Sequence, residues 1–474
     1  MNTGEFRKYA HNLVEWMASY MENVESYPVK SPVKPGEIFS KIPDKPPVKA
    51  ESFEDFFNDF INIIMPGITH WQSPNFFAYF PANTSPPSIL AEMIISTLAV
   101  QCMIWETSPS ATELEQKVMN WLRDMTGLPK EFEGVIQDTA STSTLAAILT
   151  AREKITGHKI NEEGLYDFKK LRVYCSDQAH SSVDKAVKIA GIGIKNLIKI
   201  RTRTDYSLDP EKLREEIEKD KKAGLIPCCV VATIGTTGVT AIDPLKEIGK
   251  ICSENGIWLH VDAALGGTAL ILPEYRWMIE GPEYIDSFVL NPHKWMFTNF
   301  DCSAFFVKDA ATLIRTFEIL PEYLKTRTRG QVNDYRDWGV PLGRRFRALK
   351  LWCVIRLYGV EGLQNMIRTH IAIAKNLEQM ISQEPDFEIM APVNLNTVCF
   401  RYKPEGTSEE EANLLNEKLN HLLNDSGKLY LTHTKVKGKY TLRMVTAQTN
   451  VTMNHVGKAW KLIIQTARSL PALK

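Results

Sequence analysis

The sequence predicts an α/β protein. A large, mixed or mostly parallel sheet carries helices on both faces, with a helical arm before it and a small α+β domain after it. Two observations carry that prediction. From about residue 110, short runs that are apolar throughout, such as "CCVVATIG", "IWLHVDAA" and "SFVLN", alternate with amphipathic helical stretches. Strands buried on both faces read this way, whereas half-exposed strands alternate apolar and polar residues. The intervening helices return the chain for right-handed parallel crossovers.

The first ~85 residues have a different character. "EFRKYAHNLVEWMASYMENV" places Phe6, Leu13, Trp16, Met17 and Met21 on one helical face. A connector follows whose prolines, from Pro28 to Pro47, exclude regular helix. A second amphipathic helix opens at Ser52, with Asp55 spaced as a capping-box partner. Two helices on an extended arm cannot close a core, so they must pack on the rest of the chain or on a second subunit. Next comes a helix with Ser110 and Glu113 spaced as a capping box and Gly127 as its stop. "LRVYCSD" reads as a strand. Asp209-Pro210 then starts a helix that Gly224 ends, and Asp243-Pro244 and Gly256 repeat that punctuation. After Arg347 a long helical stretch is interrupted at Gly359 and Gly362. Two alternating segments, "LNTVCFRYK" and "YTLRMVT", and a closing helix complete the chain. The boundaries expected are 1–85 for the arm, 86–360 for the large domain and 361–474 for the small one.

The 56 basic and 56 acidic residues cancel, which argues against general affinity for nucleic acid or an anionic membrane. No apolar run approaches the ~20 residues that span a bilayer. The first residues, "MNTGEFRKYAHNLVEW", carry charge where a signal peptide has its apolar centre. The eight cysteines form no C-x-x-C pair, so they predict buried thiols in a reducing compartment and no metal site. A cytoplasmic protein is expected.

In an open α/β sheet, ligands bind beyond the carboxyl ends of the strands. Asp262, Lys294, Thr236, Thr237 and His180 all fall at such ends. Taken singly, each has an ordinary reading as a cap, a turn residue, a core hydrogen-bonding group or a snorkelling lysine. Taken together, a lysine and a carboxylate at the ends of consecutive strands match the needs of pyridoxal phosphate. Its aldehyde requires an amine, and its pyridinium nitrogen requires an anion. "DTASTS" supplies small polar residues ahead of a helical run beginning near Thr144, an arrangement suited to a phosphate. No Walker-type lysine and no G-x-G-x-x-G after a strand favours a nucleotide instead.

"NPHKW", "HVDAA", "SDQAHSS", "GTT" and "DYRDWGVPLGRRFRALK" together resemble the group II pyridoxal-phosphate decarboxylases. "THWQSPNFFAYFPA", Thr69 to Ala82, resembles the aromatic-L-amino-acid decarboxylase branch. The resemblance runs through nearly the whole chain and implies the fold type I architecture and a homodimer with arms packed across the partner. By that resemblance, Lys294 holds the cofactor aldehyde, Asp262 pairs with the ring nitrogen and His180 stacks on the ring. Ala140, Ser141 and Asn291 contact the phosphate, with His293 also in the cofactor site, and Thr237 and Ala264 lie against the ring. Trp71, Tyr79, Phe80, Pro81 and Ala82 wall the substrate pocket, and Met103 and Gly343 belong to it as well. Tyr335, on a mobile loop from Lys325 to Trp338, protonates Cα, with His180 as a relay.

Gly343 stands where histidine decarboxylases of the family tend to carry serine, which leaves room for an aromatic ring. Ala82 replaces a threonine usual in animal DOPA-type members, and "QCMIW" departs from their "IGFSW"-like segment. The resemblance thus implies decarboxylation of an aromatic L-amino acid to its amine. One alternative is an aldehyde synthase, in which Tyr335 is typically phenylalanine or His180 asparagine. Another is a non-catalytic scaffold, which tends to lose the lysine or the carboxylate. This chain keeps all four residues.

Overall fold

The structure, a computed structural model, describes residues 1–319 and 330–470. It divides into two compact units. The larger comprises Phe80–Lys375 and Ala391–Val398. Its sheet has seven strands among the described residues: β1 (Glu133–Gln137), β2 (Leu171–Ser176), β3 (Leu197–Ile200), β4 (Ile226–Thr233), β5 (Trp258–Asp262), β6 (Ser287–Leu290) and β7 (Ser303–Val307). Their order is β1-β7-β6-β5-β4-β2-β3. β7 runs antiparallel to both neighbours, and the pairs from β6 through β3 are parallel. The fold type I α/β architecture expected from the sequence is present.

The continuous apolar runs are explained by burial on both faces. All five residues of β5 and all four of β6 are buried. Helix Ala140–Ile155 covers one face, and its Ala146, Ala147 and Ile148 pack with Val173, Val231 and Val289 of the strands. The register then sets the site. Thr233 pairs with Asp262, and Asp262 with Val289. The carboxyl ends of β4, β5 and β6 therefore finish side by side.

Two capping expectations do not hold. Helix Pro109–Thr126 starts before Ser110, and Glu113 accepts a hydrogen bond from Trp105 Nε1 at 2.9 Å instead of capping. Helix Leu245–Asn255 has no side-chain cap. Asp243 is drawn into the core, where it accepts from the Leu208 N–H at 2.7 Å and the Thr233 N–H at 2.8 Å. Asp209 does cap helix Pro210–Lys222, accepting from the N–H groups of Glu211 and Lys212.

The smaller unit joins Met1–Tyr79 to Asn376–Met390 and Cys399–Lys474. Its sheet orders β8 (Phe387–Ile389), β9 (Thr397–Tyr402), β10 (Thr432–Val436) and β11 (Lys439–Val445) as β10-β11-β9-β8. β9 is buried along its whole length, so its side chains do not alternate between core and solvent. The proline-rich connector does hold one short helix, Glu37–Lys41, between Pro35 and Pro43. The arm packs within this unit: Phe77 N–H donates to the Tyr430 carbonyl at 2.9 Å, and Val29, Phe76 and Ala78 cluster against Tyr430.

Candidate active site

The strand ends place a lysine, a carboxylate and an imidazole on one cavity of about 230 Å³. Lys294 follows β6 in a short helix, Pro292–Trp295. Its N–H donates to the Asn291 carbonyl at 2.9 Å, and its ammonium lies 5.5 Å from the centroid of the Phe80 ring. Burial lowers the pKa of this amine, and the Asp262 charge opposes that shift. A lysine held this way is closer to the neutral, nucleophilic form than one whose ammonium reaches water. Asp262 ends β5, is buried, and accepts from the Ala264 N–H at 3.1 Å.

His180 stands between β2 and helix Ser182–Ile189. Its Nδ1 accepts from the Ser182 N–H at 3.1 Å and lies 2.9 Å from Ser182 Oγ. Burial lowers its pKa; Asp262 raises it and Lys294 lowers it further. His293 Nδ1 likewise accepts from a backbone amide, the Cys302 N–H at 2.8 Å. Burial, aided by the charge of Lys294, pushes His293 down to about 3, so this ring is neutral at physiological pH.

The opposite wall is a helix N-terminus. Helix Ala140–Ile155 begins at Ala140, not near Thr144, because Thr139 takes the N-cap position and accepts from the Thr142 N–H at 3.4 Å. The small polar residues are therefore its first turn, whose amides lack partners within the helix. Thr139, Ala140 and Ser141 line the cavity. Asn291 lines it too, and its Oδ1 accepts from Ser303 Oγ at 2.7 Å. That contact occupies the carbonyl end of the amide and leaves the NH₂ end to donate. Thr237 and Ala264 complete the expected group.

Other expected residues lie elsewhere. Tyr335 and Gly343 line a separate cavity of about 80 Å³ with Gln137 and Arg344. Tyr335 is buried there, with Arg344 stacked 4.9 Å from its ring centroid. The Met103 carbonyl accepts from the Arg336 N–H at 2.9 Å, next to Tyr335. Of the loop from Lys325 to Trp338, residues 325–329 lie outside the described residues. Pro81 is buried and Ala82 half-buried. Trp71 and Tyr79 belong to the smaller unit, where Trp71 stacks with both Phe76 and Tyr79. Ser182, Thr233, Gly235, Leu265 and Phe300 line the Lys294 cavity without having been singled out in the sequence. For Ser182 a signal existed, since a hydroxyl two residues beyond a strand-end histidine is within reach of its ring.

Residues 35–403 match the model of the pyridoxal-dependent decarboxylase conserved domain. The chain belongs to the pyridoxal-dependent decarboxylase family. It is similar to phenylacetaldehyde synthase of Arabidopsis thaliana, 44% identical over 99% of this chain and 97% of that protein. It is also similar to aromatic-L-amino-acid decarboxylase of Cavia porcellus, 42% identical with each chain fully covered. Among solved structures, Oryza sativa TDC with PLP and tryptamine superposes with a TM-score of 0.96. That match is 38% identical and covers 99% of this chain and 98% of the other.

The cofactor of this decarboxylase family is pyridoxal phosphate, and the cavity fits it. A helix N-terminus and the Asn291 amide form a donor set for a dianionic phosphate. Lys294 and Asp262 offer the amine and the anion that the aldehyde and the ring nitrogen need. Among the described residues, no helix is long and apolar enough to cross a membrane.

Proposed function

We propose that the protein decarboxylates an aromatic L-amino acid of the tryptophan, phenylalanine, tyrosine or DOPA class to its amine and carbon dioxide. The observation that carries this reading is the convergence of Lys294, Asp262, His180 and the Ala140 helix terminus on one cavity. The residue roles are proposed with it. Lys294 binds the cofactor aldehyde and later releases the amine. Asp262 holds a proton on the ring nitrogen. Ala140, Ser141 and Asn291 hold the phosphate, with His293 beside them. Thr237 and Ala264 confine the ring, and His180 covers its face. When bound, the cofactor supplies an electron sink for the pair left by the departing carboxylate. His180 and the pocket wall orient that carboxylate so that its bond breaks perpendicular to the ring. Tyr335 delivers the proton to Cα.

Similarity to proteins named for decarboxylation and for aldehyde synthesis makes the oxidative outcome the second reading. Retention of both Tyr335 and His180 supports the amine as product. The protein is also read as a cytoplasmic homodimer. Its first helix, Thr3–Asn23, has no buried residue, and Phe6 is 60% exposed. The eight cysteines are all free. The test is to assay the purified enzyme with tryptophan, phenylalanine, tyrosine, DOPA and histidine, following carbon dioxide, amine and peroxide. Amine and carbon dioxide in equal amounts from an aromatic substrate are expected. Stoichiometric peroxide would assign the aldehyde synthase activity, and turnover of histidine alone would overturn the substrate class.

A further inference from the structure

We propose that Ser182 fixes His180 as the Nε2–H tautomer, so that His180 serves the reaction as a hydrogen-bond donor and not as its proton source. The proposal deepens the reading of this cavity as the decarboxylation site and rests on it.

The argument begins with a backbone amide. An amide N–H donates and never accepts. The Ser182 N–H lies 3.1 Å from His180 Nδ1 in hydrogen-bonding geometry. That nitrogen must therefore present its lone pair, and the neutral ring must carry its proton on Nε2. Ser182 Oγ, 2.9 Å from the same nitrogen, then acts as a second donor to it. Ser182 is 4% exposed and opens helix Ser182–Ile189, so its amide direction is set by the helix rather than by a mobile loop. The imidazolium form has to break this contact, because its Nδ1–H would face the amide hydrogen. Burial independently favours the neutral ring, lowering the pKa of His180. The charged groups acting on the ring are Asp262 at the end of β5, Lys294 after β6, and Lys185 and Asp184 on the helix that Ser182 opens.

The proton balance follows. If neutral His180 gave its Nε2 proton to Cα, the ring would become an anion unless Nδ1 gained a proton in the same step. The donors at Nδ1 are an amide and an aliphatic hydroxyl, and loss of a proton from either leaves a strongly basic anion. The proton for Cα must come from another acid, a phenol or a water, with Tyr335 as the phenol this chain offers. The Nε2–H is then free to donate to the substrate carboxylate, or to the oxygen that the departing proton leaves behind. In this scheme Ser182 is a positioning residue.

The test uses ¹⁵N-histidine-labelled holoenzyme, with the His180 signals assigned by their loss in His180→Asn. The neutral wild-type ring is expected to show a pyridine-type Nδ1 and a pyrrole-type Nε2. In Ser182→Ala the hydroxyl donor is gone and the amide remains. The titration midpoint of His180 is then expected to rise by roughly half to one pH unit, the size of one hydrogen bond. The acid limb of kcat/KM moves with it, and Ser182→Thr restores both. A protonated Nδ1 in the neutral wild-type ring overturns the proposal. So does a Ser182→Ala protein whose His180 titration is unmoved. If Ser182→Ala does not fold, the wild-type tautomer alone decides. The nitrogen signals report the tautomer whether or not an aromatic amino acid is the substrate, so failure of the lock and failure of the assigned reaction are distinguishable.

Discussion

A lysine at a strand end normally trails its ammonium into water. Lys294 instead faces a cavity beside Asp262, under the Phe80 ring. Lys294→Ala is expected to lose the visible absorbance of bound cofactor and nearly all turnover, since no other amine lines that cavity among the described residues. Wild-type turnover by that variant would reject the assignment. Asp262→Asn preserves shape and the contact to the Ala264 N–H. It removes the charge proposed to keep the ring nitrogen protonated, so kcat should fall on the order of a hundredfold or more. A near-normal kcat would reduce Asp262 to a turn residue. Both side chains were legible in the sequence because Asp262 closes one apolar run and Lys294 comes four residues after the end of another, and a strand end in this architecture is where ligands bind. Glu113 and Asp243 show the limit of that reading. Their spacing fits helix caps, but one bonds Trp105 and the other two core amides. Local pattern does not encode which distant donor competes for a carboxylate.

Among elements, the α/β alternation was readable because burial on both faces leaves a continuous apolar signature. β1, β3 and β7 do not stand out in the sequence: each is only four or five residues long, and the pairing of β1 with β7 joins segments some 170 residues apart. Helix Ala140–Ile155 starts four residues before the position its sequence suggests, because a serine- and threonine-rich stretch looks like an approach to a helix, while here Thr139 alone provides the cap. The interruption at Gly359 holds: its φ of 68° is left-handed, whereas Gly362 lies in the helix that continues to Ser382. The turn after β4 supports a prediction of its own. Asp243 is fully enclosed, and burial outweighs its two amide donors, raising its pKa to about 7. A carboxyl raised in the folded state is most favourable when protonated. Its contribution is thus complete below about pH 4, near the ordinary aspartate value. That contribution is lost as pH rises through about 7. Asp243→Asn cannot ionise, so the gap in Tm between wild type and variant should shrink as pH is raised from 4 to 8. A gap that widens over that range would show that Asp243 stays ionised in the fold.

At the scale of the whole molecule, exposed apolar side chains and the position of Tyr335 both bear on the proposed dimer. Helix Pro86–Leu98 exposes Leu90, Ile94 and Leu98 by more than half, beyond the exposed face of the first helix. Light scattering of the purified protein is expected to give twice the chain mass, and a monomer that retains full activity would reject the dimer. Tyr335 lies in a different cavity from Lys294 within the same chain, with Arg344 stacked on its ring. Its role as proton donor therefore requires either movement of its segment or delivery to the cavity of a second copy. In both cases removing the hydroxyl separates the two halves of the reaction. Tyr335→Phe keeps the ring and its packing against Trp338, so the fold should survive. In the proposed mechanism loss of carbon dioxide depends on Lys294, Asp262 and substrate orientation, so it should continue. Protonation at Cα should then fail, and dioxygen can oxidise that carbon, giving aldehyde, ammonia and peroxide in place of amine. Product analysis with and without oxygen, alongside carbon dioxide release, reads this directly. Amine formed at the wild-type rate without aldehyde would remove Tyr335 as the donor. With His180 held as an Nε2–H donor, a water admitted to the cavity would then be the acid.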